Sequence, residues 1–141
     1  MPVYKTFNCI NCGKLNEKKP NTSGKYCDNK CQQDFQSKQI LESWKKDHKK
    51  GIGANFRLKT PIRKFIFDKF DNKCCQCGWC EVNKNSNCIP LEIDHIDGDC
   101  LNNKEENLRL LCPNCYSLTS TYKALNRGKG NKSRLKYYKL V

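Results

Sequence analysis

Long apolar runs are missing from this chain. Hydrophobic residues fill 37% of its 141 positions, and the mean hydropathy is −0.86. No stretch approaches the about 20 apolar residues that span a bilayer. The opening MPVYKTFNC also lacks the apolar centre of a secretion signal. The expectation is an intracellular protein of cytoplasm or nucleus, not secreted and without a membrane partner. So little apolar material normally needs staples to hold a fold together. Acids are scarce too, at 14 against 27 Lys and Arg, for a formal charge of +13. That balance calls for a polyanionic partner, most simply nucleic acid. Histidine is scarcer still: His48 and His95 are the only two. Few side chains are therefore available as a base working near neutral pH.

Cysteine is what the chain has in abundance, with twelve residues. They fall in Cys-x-x-Cys and Cys-x-x-x-Cys pairs, too close in sequence for ordinary disulfides and suited to sharing one zinc ion. Cys9, Cys12, Cys27 and Cys31 form a first set of four. Cys9-Ile-Asn-Cys12-Gly13 reads as a knuckle turning at its glycine. Cys27 and Cys31, four apart, present both sulfurs on one face of a helix start. Phe35, Ile40, Leu41 and Trp44 continue the helical spacing to about residue 46. Together these features look like a treble-clef-like finger over residues 1–50. Cys74, Cys77, Cys112 and Cys115 form a second set, in which Cys74-x-x-Cys77-Gly78 repeats the knuckle pattern. The competing pair Cys77-x-x-Cys80 would need a βαβ setting to act as a redox motif, and the surroundings here are a helix and a hairpin. Two structural Zn²⁺ ions are expected, the second fixing both ends of a long excursion against each other. Cys75, Cys80, Cys88 and Cys100 fall outside both sets and read as incidental.

The rest of the chain divides by composition. Residues 51–60 read as a basic linker with two glycines, and Arg57 and Lys59 are placed to follow a phosphate backbone. Thr60-Pro61 reads as a helix start with Thr60 as N-cap. The apolar face of that helix is Ile62, Phe65, Ile66 and Phe70, with Arg63 and Lys64 off it. Residues 127–141 form a basic tail. Lys123, Arg127, Lys129, Lys132 and Arg134, interleaved with tyrosines, suit nucleic-acid contact. His48, among lysines, reads as a solvated surface histidine.

One stretch concentrates chemistry: LEIDHIDGDCLNNKEENLRLLCPNCY, residues 91–116. It reads as a strand over 91–96, a polar loop over 97–107 turning at Gly98, and a return strand over 108–111. A helix then opens near Cys115. From Glu81 to Glu106 there are seven acids and two lysines, an acidic pocket in a basic chain. Such a pocket suits a divalent cation facing a phosphodiester. His95 is the one candidate base beside it, and Asp94 offers a hard carboxylate. Neighbours on a strand point to opposite faces, so the two can serve one site only where the strand ends.

Asp94-His95, Asn107-Leu108 and Cys112-x-x-Cys115 make residues 60–126 resemble the HNH endonucleases. The resemblance implies a small α+β fold, zinc-stabilised, with a ββα-metal domain over 61–126. It implies hydrolysis of DNA, double-stranded in particular, with one Mg²⁺ or Mn²⁺ ion. In such a site His95 is the general base, Asp94 the Mg²⁺ or Mn²⁺ ligand and Asn107 the residue that pins the loop. The family's last metal ligand, a His or Asn after the final cysteine, falls on Tyr116. A neutral phenol is a poor partner for a hard dication. Asp97, Asp99, Asn102 or Asn103 would have to swing inward to replace it. The alternative is a catalytically degenerate member that binds DNA, or serves assembly, without cutting.

Overall fold

The computed structural model describes residues 5–54 and 56–126. The chain divides into two compact units, residues 1–42 and 43–141. The first therefore ends at Glu42, eight residues before the limit of 50 expected from composition. The boundary falls inside a continuous helix, where no change in residue type marks it.

In the first unit, β1 (Thr6–Asn8) pairs antiparallel with β2 (Leu15–Glu17). The turn between them is the knuckle. Cys9 N–H donates to Lys14 O at 2.9 Å, and Gly13 N–H to Cys9 O at 2.8 Å. Gly13 sits at φ +73°, a conformation that favours glycine. Helix α1 (Asn29–Lys46) follows, with the Asp28 carboxylate accepting from Cys31 N–H at 2.6 Å. Cys31 is thus in the first helical turn, while Cys27 precedes the helix. The expectation that both cysteines stand on the helix is corrected by this cap.

In the second unit, α2 (Thr60–Lys69) begins one residue earlier than expected. Lys59 is the N-cap, without a side-chain bond, and Thr60 lies inside the helix. Pro61 supplies a pre-set φ in the first turn, so the start does not depend on a hydroxyl cap. Ile62 and Ile66 are fully buried, as the helical spacing predicts.

Residues 51–60 are not a free spacer. Ile52 bridges Leu58, Lys59 N–H donates to Gly51 O at 2.9 Å, and Gly51 is buried. A Cβ on Gly51 would lie 2.6 Å from Trp44 Cδ1 and 3.0 Å from Ile62 Cδ1. Close packing between a tryptophan and an isoleucine requires the glycine there.

A second knuckle follows α2, with Gly78 N–H donating to Cys74 O at 2.8 Å and Gly78 at φ +75°. Then β3 (Glu92–His95) pairs antiparallel with β4 (Leu108–Leu111), and α3 (Pro113–Ser117) follows directly. The strand expected over 91–96 is two residues shorter, because Ile96 N–H already turns back to Asn107 O. Cys74, Leu91, Leu110, Leu111 and Cys112 form the core beneath the hairpin, with Phe67, Phe70 and Trp79 packed around them. Among the described residues no helix is long and apolar enough to cross a membrane.

Candidate active site and metal centres

Each set of four cysteines converges. Within each set the four sulfurs lie within 4.8 Å of one another. A tetrahedral zinc with bonds of about 2.3 Å would separate its sulfurs by about 3.8 Å. Cys12 and Cys27 stand at 3.8 Å, and Cys77 and Cys112 at 3.7 Å. The residues fit zinc. Their ionisation points the same way. Burial pushes Cys9 up, but N–H donors from Cys12, Cys27 and Asn11 outweigh it and bring its pKa to about 6. Burial likewise opposes, and backbone donors from Cys112, Cys77 and Gln76 overcome, in bringing Cys74 to about 6. The partners move the other way: burial, then the neighbouring Cys112, pushes Cys115 up to about 12. Without a cation each set holds its later thiolates at a cost that a dication removes. Cys80 stays outside the second set and is exposed, so the knuckle register Cys74–Cys77 is the one adopted.

Asp94 is buried, at 6% exposure, and its Oδ2 accepts from Arg109 Nε at 2.7 Å. The ladder places the two directly opposite, Asp94 against Arg109. A free carboxylate awaiting a cation was expected at this position; an ion pair occupies it. Burial, followed by the charges of Asp94 and Glu92, holds the Tyr116 phenol above its ordinary pKa. Tyr116 is therefore neutral at pH 7 and packs edge-on against Tyr122, with centroids 5.3 Å apart. Of the residues expected to hold or replace a ligand of Mg²⁺ or Mn²⁺, Asn102 is the one whose side-chain oxygen is buried without a partner among the described residues, while Asp94 Oδ2 is taken by Arg109. The Arg109 pairing and the neutral phenol at 116 leave a poor donor set for a hard dication at Asp94.

His95, the last residue of β3, belongs to a different group of contacts. Its Nε2 lies 2.8 Å from Asn103 Oδ1, and Asn103 is 1% exposed. Asn107 ties the loop closed. Its Nδ2 donates to Asp97 Oδ1 at 2.8 Å and to Asn102 O at 2.7 Å, while its Oδ1 accepts from Asp97 N–H at 3.1 Å. Asp97 also accepts from Asn102 Nδ2 at 2.6 Å and from Asp99 N–H at 2.9 Å. Asp97 and Asn107 are thus bonded within the loop, whereas the Asn102 side-chain oxygen is buried without a partner among the described residues.

Arg57, Arg63 and Lys64 are exposed, and Lys59 is half-buried at the start of α2. Lys64 pairs with Asp68 at 2.7 Å, which neutralises it locally. Lys123 stands 4.9 Å over the Tyr122 ring. Arg127, Lys129, Lys132 and Arg134 lie outside the described residues. His48 departs from its expected solvated state: its Nδ1 is sealed from solvent without a partner among the described residues. It borders an open cleft of about 430 Å³ lined by Trp44, Lys45, Lys46, Lys104, Glu105 and Glu106.

Arg109 was not foreseen from the sequence, and Asn103, expected only as a replacement metal ligand, instead contacts His95. Arg109 carries a signal, being one charge within Leu-Arg-Leu-Leu opposite an acid. Asn103 carries none that separates it from Asn102.

No family model matches the chain, and no solved structure matches it significantly. A 61-residue stretch, 41% of the chain, is 44% identical to the H-N-H endonuclease F-TflIV of Escherichia phage T5. The match spans 25% of that relative's length, and it supports an HNH relationship for the stretch it covers.

Proposed function

We propose that this protein is a DNA-binding endonuclease of the HNH type: a treble-clef-like zinc finger followed by a zinc-clamped ββα-metal hairpin. The observation that carries the reading is the placement of His95. It ends β3 half-buried, beside a loop that Asn107 holds shut. His95 takes a proton from water as the water oxygen bonds to phosphorus. The opposite P–O ester bond breaks, and the leaving oxygen takes a proton from solvent. Zinc supplies no step; it fixes the hairpin against α3. Arg109, partly exposed beside Asp94, is the cation that the chain itself places near the strand end. The charge of +13 favours a polyanion, and double-stranded DNA is the substrate proposed.

A second reading, a binding protein that does not cut, is favoured by the Asp94–Arg109 ion pair and by Tyr116. Incubating supercoiled plasmid with the protein in Mg²⁺, Mn²⁺ or chelator, with His95→Ala as control, separates the two. Cleavage that disappears in His95→Ala supports the nuclease. Intact plasmid under every condition, with DNA still retarded on a gel, supports the binder.

A further inference from the structure

We infer that Asn103 is a positioning residue that fixes the tautomer of His95, leaving Nδ1 as the atom able to accept a proton. This deepens the nuclease reading and rests on it for its catalytic meaning.

The hydrogen bonds define the direction. Asn103 Nδ2 donates to Cys100 O at 3.2 Å, so its Oδ1 is the end turned toward His95. A carbonyl oxygen only accepts, so His95 Nε2, 2.8 Å away, carries the proton. A neutral imidazole has one N–H, which puts the lone pair on Nδ1. Nδ1 has no bonded partner among the described residues. The His95 residue as a whole is half-buried, not sealed.

Asn103 is itself held from behind. Its main-chain carbonyl accepts from Trp44 Nε1 at 2.7 Å, and Trp44 is 2% exposed. A buried amide anchored through both main chain and side chain has one orientation. It therefore imposes one orientation on the imidazole, which is how groups behind a reacting histidine act.

The test combines histidine nitrogen NMR with single-turnover cleavage, using the full zinc-loaded chain. Histidine labelled with ¹⁵N is observed at high pH, where only the neutral tautomers of an imidazole are populated. A His48→Asn variant assigns the two rings. The natural protein is expected to show His95 protonated on Nε2 alone. Asn103→Leu and Asn103→Ala, which remove the acceptor, are expected to give mixed tautomers and to lower kcat about 10–100-fold with KM nearly unchanged. Asn103→Asp keeps an acceptor and is expected to restore the single tautomer. Zinc content of each variant reports whether the fold persists.

A natural protein protonated on Nδ1 overturns the inference. So does a single Nε2–H tautomer in a folded acceptor-free variant. If the natural protein never cleaves but the tautomer responds as stated, the nuclease reading fails while the positioning role of Asn103 stands.

Discussion

Tyr116 and Arg109 both bear on Asp94, the first because the carboxylate charge, after burial, holds its phenol pKa up, and the second through an ion pair at 2.7 Å. Replacing Tyr116 with histidine returns an imidazole to the side of Asp94, where a phenol held neutral by burial now stands. Tyr116→His is expected to raise Mn²⁺-dependent plasmid cleavage by about tenfold or more, within the range that changes around a metal site command. A variant as inert as the natural protein under saturating Mn²⁺ would favour the binding-only reading. Arg109→Met removes the partner of a buried carboxylate, and its cost in urea unfolding is expected to be about 3 kcal/mol. Asp97 gives a pH dependence. Burial raises its pKa, but donors from Asn102, Asp99 N–H and Asn107, with the charge of His95, outweigh that and lower it. A carboxylate depressed on folding stabilises above its ordinary pKa and loses that contribution as pH falls through the depressed value. Loop 97–107 is therefore expected to loosen only below about pH 4, and amide exchange at Asp97 and Asp99 would show it. At this scale the sequence was only partly legible. Asp94 and His95 were identifiable by chemistry, since acid and imidazole are the groups hydrolysis requires. Their partners were not, because a hydrogen bond from His95 to Asn103 depends on loop geometry that local residue preferences do not encode.

The elements were more legible, and the cysteines are the reason. Cys-x-x-Cys-Gly dictates a knuckle wherever it occurs, so both turns could be placed from spacing alone. The helical spacing of Ile62 and Ile66 likewise identified the buried face of α2. What spacing missed was Gly51, whose role is set by a tryptophan seven residues earlier. Gly51→Ala is expected to destabilise the second unit by about 1–3 kcal/mol through overpacking against Trp44 and Ile62, measured by denaturant unfolding. The cysteine sets give a separate test. The purified chain is expected to hold two zinc ions, and strong chelation to unfold it. Cys27 is raised by its bond to Cys31 and by burial. In Cys31, burial and contacts with Cys12 and Cys9 outweigh the lowering bond to Cys27. Cys115 is at about 12, and Cys77 is raised by Cys74 and burial against a lowering N–H from Trp79. Those thiols are protonated at pH 7 without metal. Each set should therefore release at least two protons per zinc, read by calorimetry in buffers of different ionisation heat. A stoichiometry of one zinc would remove one of the two centres.

Across the whole molecule, charge was legible as a total and not as a surface. The six basic residues of 127–141 carry much of the +13. Their removal is expected to weaken DNA affinity and flatten the dependence of log K on log salt by about 0.9 for each phosphate no longer neutralised. An unchanged slope would make the tail a bystander. Domain limits were least legible, since α1 runs through the boundary at Glu42 and composition changes elsewhere.

The order of the cysteines along the chain has a consequence for synthesis. The first set is complete once residue 31 has been made, whereas the second waits for Cys115. Closing Cys12 onto Cys27 spans 15 residues, and closing Cys77 onto Cys112 spans 35. The entropy of the longer loop disfavours the second closure by about 0.8 kcal/mol, or about fourfold. During translation the N-terminal finger can load while the hairpin does not yet exist. At limiting zinc the first set of four cysteines is therefore expected to fill before the second.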